Sequence, residues 1–123
     1  MKTLACLLVL CAGALSGCEF HARDVDAYRK ETRALLATRD AQIKGCYDEA
    51  LKGDSKVAGL VVVRFKVESE TGKIMDAKVV QDRTTAPPAL GQCVVKALDA
   101  LVLDPPDARD GDATFQWSFE AKG

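Results

Sequence analysis

The sequence predicts an α+β domain in which a three-stranded antiparallel sheet carries two helices on one face, in the order α-β-β-α-β. Three observations point to it. Two stretches place apolar residues at helical spacing, three others alternate apolar with polar residues at a period of two, and a tight turn joins the first two of those three.

Asp24 suits a helix N-cap, and no proline or turn cluster interrupts the chain from there to Gly53. Ile43, Cys46, Tyr47, Ala50 and Leu51 follow the spacing of one buried stripe, and Gly53 suits the left-handed position that ends a helix. Val25, Tyr28, Leu35 and Leu36 form a thinner stripe. It belongs either to a separate helix or to an extension of the same one, with Thr38 or Asp40 as an internal cap.

From Gly59 the period changes. Val61, Val63, Phe65 and Val67 alternate with Leu60, Val62, Arg64, Lys66 and Glu68, a strand that becomes one-sided toward its end. Glu70-Thr71-Gly72-Lys73 reads as a hairpin turn with glycine where positive φ is needed. A second strand, Ile74 to Gln81, sets Met75, Ala77 and Val79 opposite Asp76 and Lys78.

Pro88 suits a first helical turn, because the N–H it lacks would be unpaired there. Leu90, Cys93, Val94, Ala97, Leu98 and Leu101 make the cleanest stripe, and Asp104-Pro105-Pro106 stops that helix. A polar loop with Asp104, Asp107, Asp110 and Asp112 reads as solvated. It lacks the alternating ligands and closing Glu of a calcium loop. In the last strand Ala113, Phe115, Trp117 and Phe119 alternate with Thr114, Gln116, Ser118 and Glu120, so three large aromatic side chains are expected to dominate the core.

The chain has 123 residues, 48% hydrophobic and 28% charged, which fits one soluble domain and excludes wholesale disorder or a multi-pass membrane protein. A formal charge of −1 leaves no excess of Lys and Arg to displace counterions from phosphates, so no nucleic-acid partner is expected. The single histidine, His21, falls outside the patterned region, and Ser55, Ser69 and Ser118 have no recognisable base beside them. No enzyme activity, cofactor or metal site is expected.

Lys2 precedes the uncharged apolar run Leu4 to Leu15, too short to cross roughly 30 Å of hydrocarbon but suited to the core of a secretory signal. The run ends in Leu15-Ser16-Gly17-Cys18, which resembles the lipobox of bacterial lipoproteins. That resemblance implies a signal peptide over residues 1–17, cleavage before Cys18, and acyl chains on Cys18 that anchor the protein to a membrane of the cell envelope, facing the periplasm. The alternative is a plain secretory signal that ends in a cysteine. Residues 18–23 then form a tether and 24–123 the domain.

Cys6 and Cys11 leave with such a signal, and lipid occupies Cys18. Cys46 and Cys93 remain, in a compartment where disulfides persist, and a single pair has one intramolecular connectivity. Both lie on buried stripes that face one core. Two buried free thiols are the alternative reading.

Ile43-x-x-Cys46-Tyr47, then Gly59-x-Val61-x-Val63-x-Phe65-x-Val67, Gly72-Lys73-Ile74, Cys93-Val94-x-x-Ala97-Leu98, Pro105-Pro106 and a closing aromatic strand resemble the C-terminal domain family named for AgmX and PglI, itself similar to the TonB C-terminal domain. The resemblance implies a non-catalytic periplasmic adapter whose sheet edge accepts an extended peptide by strand addition, here Thr114, Gln116, Ser118 and Glu120. The sequence departs from energy-transducing TonB in having no proline-rich segment and, after cleavage, no membrane helix. A lipid-tethered interaction module is therefore expected, with a purely structural lipoprotein subunit of an envelope complex as the alternative.

Overall fold

A computed structural model of the protein describes residues 23–120. The expected signal peptide, Cys18, His21 and the tether up to residue 22 lie outside the described residues, as does 121–123. No helix among the described residues is long and apolar enough to cross a membrane.

The described chain runs α1 (Val25–Ala37), α2 (Asp40–Gly53), β1 (Gly59–Val67), β2 (Ile74–Val79), a short 3-10 turn (Gln81–Arg83), α3 (Pro88–Ala97) and β3 (Gly111–Phe119). The three strands form one antiparallel sheet in the order β2-β1-β3. The fold is α+β as expected, but with three helices in place of two. Asp24 caps α1, its Oδ1 accepting from the N–H of Ala27 at 2.7 Å, and the chain breaks at Thr38 and Arg39 before α2. Gly53 ends α2 without a left-handed φ, and the extended Asp54 caps it, so the expected glycine cap is absent.

β1 is central because its residues tolerate burial on both faces: Val61, Val62 and Val63 are all fully enclosed. Val61, Val63, Phe65 and Val67 join Leu36, Ile43, Cys46, Leu90, Val94 and Leu98 in one apolar cluster, so all three helices contribute to the core over one sheet face. The Cys46 and Cys93 sulfurs are at bonding distance with their Cα atoms 5.7 Å apart, and the bridge fastens α2 to α3.

Three local expectations fail for physical reasons. Met75 does not share a face with Ala77 and Val79. The register between β1 and β2 slips beside Phe65, where Asp76 takes φ 54°, and this bulge turns Met75 outward opposite Lys66 while Ile74 packs inward. The helix that begins at Pro88 ends at Ala97, short of Leu101, although Leu98, Leu101 and Leu103 are all buried. Leu101 and Leu103 instead lie beside the hairpin: the N–H of Ile74 donates to the Leu101 carbonyl at 3.0 Å, and the N–H of Leu103 donates to the Gly72 carbonyl at 2.7 Å. Finally, Phe115 and Trp117 are only half-buried, and of the three aromatics only Phe119 counts among the buried core residues.

Gly72 occupies φ 75° in the turn, and an added Cβ would land on the Leu103 carbonyl. Gly72→Ala is expected to destabilise by at least about 2 kcal/mol, the left-handed cost plus that collision. Gly45, inside α2 with nothing within 4 Å of its would-be Cβ, should respond oppositely: Gly45→Ala gains about 0.5–1 kcal/mol. Chemical denaturation of the two variants checks both signs.

Candidate partner-binding edge

The hydrogen-bond directions of β1 decide which groups of β3 are free. Leu60 and Val62 turn their backbone toward the β2 side. The Leu60 N–H donates to Thr85 Oγ1 at 2.8 Å and the Val62 N–H to Thr84 Oγ1 at 3.0 Å, while their carbonyls accept from the N–H groups of Thr85 and Val80. Two threonine hydroxyls thus stand in for strand carbonyls where β2 has ended. Because strand groups alternate, Val61, Val63 and Phe65 face β3, where they oppose Trp117, Phe115 and Ala113. It follows that Asp112, Thr114, Gln116 and Ser118 point their N–H and C=O groups away from the sheet. No described residue pairs with them.

The structure therefore brings three of the four sequence-predicted binding residues, Thr114, Gln116 and Ser118, to one exposed edge, with Glu120 exposed just beyond the strand. The edge of β2 is different. Its start is engaged by Leu101 and Leu103, with an isolated bridge between Lys73 and Val102, and the bulge at Asp76 interrupts the rest.

A groove separates β3 from α1. It comprises two open depressions of about 540 Å³ and 620 Å³ that share Arg33, Thr114 and Phe115. Phe115, Trp117, Tyr28 and Leu36 supply apolar lining. The Arg33 guanidinium lies 5.6 Å from the Phe115 ring centroid, in cation–π range. Phe115 also stacks on Phe65 at 6.0 Å, and Tyr47 on Phe119 at 5.2 Å. Tyr28 places its hydroxyl against Gly111, where only glycine admits it. The buried oxygen has no partner among the described residues, and burial pushes its pKa up, with nearby Asp107 adding to the rise.

One end of the groove is built by a pairing that the sequence reading placed in solvent on both sides. Arg23, assigned to the tether, and Asp107, assigned to a solvated loop, are both buried, at 9% and 2% exposure. Asp107 Oδ2 accepts from the Arg23 backbone N–H at 2.8 Å and from its Nη1 at 3.3 Å. Arg23 also reaches Glu31 at 2.7 Å and the Pro105 carbonyl at 2.6 Å. Burial opposes charge on Arg23, but Glu31 and Asp107 outweigh it and hold the guanidinium above its ordinary pKa. Burial likewise opposes the Asp107 carboxylate, yet the N–H groups of Arg23 and Arg109 and the Arg23 guanidinium hold its pKa below the usual value. Arg23 therefore belongs to the folded domain and not to a tether. An arginine and an aspartate 84 positions apart carry no local signal of pairing.

Asp110 also departs from the solvated reading, since its Oδ1 accepts the Ser69 N–H at 2.8 Å, which lowers its pKa. Asp104 is exposed as expected. Arg64 and Lys66 lie on the open sheet face, Arg64 3.6 Å from Asp112. Among the described residues no group of three or more His, Cys, Asp or Glu side chains could hold a metal ion.

Compared with protein-family models, with curated proteins and with solved structures, the chain matches none.

Proposed function

We propose that this protein is a lipid-anchored interaction module of the bacterial cell envelope, non-catalytic, that takes up an extended segment of a partner protein on the free edge of β3. The observation that carries the reading is the row of unpartnered backbone groups at Asp112, Thr114, Gln116 and Ser118 beside an open groove. An added strand would satisfy those groups, and the groove would receive its side chains. The Leu15-Ser16-Gly17-Cys18 sequence supports anchoring through acylated Cys18 and a periplasmic location, to which the bonded Cys46 and Cys93 pair is suited. The sheet of three antiparallel strands under helices is compatible with the AgmX/PglI-type and TonB-like C-terminal domains, and the adapter role rests on that likeness.

The edge geometry gives a discriminating test. Gln116 directs its N–H outward, so Gln116→Pro removes no internal hydrogen bond and is expected to cost much less stability than Phe115→Pro, which removes a bond to Val63. The same Gln116→Pro should abolish strand addition, read as loss of the amide shifts that extended envelope peptides induce at residues 112 to 118. Peptide-induced shifts that survive in Gln116→Pro would defeat the proposal.

A further inference from the structure

The groove beside β3 carries a charge pattern that selects among extended segments. Five arginines line it: Arg23, which is committed to Asp107 and Glu31, and Arg29, Arg33, Arg83 and Arg109. Among the described residues none of the last three forms an ion pair with a carboxylate, and Arg29 reaches only the exposed Asp26, at 4.0 Å. Of the carboxylates along the same walls, Asp107 pairs with Arg23 and Asp112 with Arg64, while Asp110, which accepts the Ser69 N–H, and Asp40 have no cationic partner among the described residues, two charges against the three unpaired arginines. The chain as a whole carries a formal charge of −1, so this local surplus of cations does not reflect a generally basic surface.

Arg33 occupies the decisive position. Its guanidinium carbon lies over the Phe115 ring, 5.6 Å from the centroid, and among the described residues it pairs with no carboxylate, so its N–H fork is available for two-pronged pairing with one. Phe115 lies between Thr114 and Gln116, whose backbone groups face the free edge. A strand added there places alternate side chains on the same face as Phe115 and Trp117, toward α1 and its arginines, and the intervening ones beside Thr114, Gln116 and Ser118.

We propose that the partner segment is acidic, with carboxylates at alternating positions that meet Arg33 and Arg29 while its backbone pairs along β3. This rests on the strand-addition reading above and adds to it the chemistry of the occupant.

The full chain, 15N-labelled and held in neutral detergent, is titrated with peptides of one apolar scaffold bearing Glu, Gln or Lys at every second position. The Glu peptide is expected to bind about tenfold more tightly than the Gln peptide, with the Lys peptide weakest and all Glu binding falling as salt rises. Amides 112 to 118 should shift. Arg33→Glu, its fold checked by an unchanged thermal melt, should reverse the order so that the Lys peptide binds best.

Equal affinity for the Glu and Gln peptides, with β3 amides shifting for both, would overturn the acidic preference and leave strand addition standing. Shifts confined to α1 with β3 unmoved, or no binding by any peptide, would overturn both. Phosphatidylglycerol vesicles perturbing the same arginines more strongly than the Glu peptide would assign the surface to a membrane and remove the peptide proposal.

Discussion

Removing the Cys46–Cys93 bridge, by Cys93→Ala or by reductant, is expected to lower the melting temperature by on the order of 20 °C. The two cysteines are separated by 47 positions, and closing a loop of that length restricts the unfolded chain by about 4 kcal/mol in the loop-entropy account. For a domain of this size that is a large part of the total. The bridge also joins α2 to α3, two helices that must stay packed to cover Val61, Val63 and Phe65. Cys46→Ala should give nearly the same loss as Cys93→Ala, and the double variant no more than either alone, since all three delete one bond. Thermal melts with and without reductant check this; coincident melts of the oxidised and reduced protein would contradict it.

Asp107→Asn is the second change with a large expected effect. It leaves the buried Arg23 guanidinium short of one counter-charge, which destabilises by about 3 kcal/mol when a buried ion pair loses a partner. Glu31 and the Pro105 carbonyl remain, which keeps the loss from being larger. The variant should also change the response to acid. Asp107 has a folded pKa below its unfolded value, so its contribution is complete above the ordinary carboxylate pKa of about 4 and is lost as pH falls from there through the folded pKa. Denaturation free energies measured between pH 7 and 3 should therefore fall less steeply for Asp107→Asn than for the parent. Parallel curves would remove Asp107 from the acid response. Asp110→Asn, at an exposed carboxylate, serves as the comparison with little change in stability.

The contrast between these two sites shows what was legible beforehand. Cys46 and Cys93 stand on helical stripes whose period announces a buried face, so their meeting follows from local patterns. Arg23 and Asp107 meet only because α1 and the loop before β3 close on each other, and no period marks either residue. The same division holds elsewhere. The alternation in β1 and the glycine of its turn were readable, since strand period and positive φ are properties of the local chain. Met75 was not, because a one-residue bulge reverses every side chain beyond it. The end of α3 was obscured by Leu101, which is buried by pairing beside the hairpin and not by continuing the helix.

At the free edge of β3 the legible part was the alternation of Thr114, Gln116 and Ser118 with the aromatics. The position of β3 at the margin of the sheet is implied only by the family resemblance and not by the strand's own pattern, and the approach of Arg33 to Phe115 has no sequence signal at all. Both arise from the order in which distant elements assemble.

The unequal margins of the sheet also govern how copies of this protein can associate. Head-to-tail growth of a continuous ribbon needs a receptive strand on both flanks, and here the flank formed by β2 is occupied at one end and kinked by Asp76 in the middle. Any self-pairing through β3 uses up the open flank of each molecule and stops at two. Among the described residues the sheet thus has one border open to pairing and one that is not.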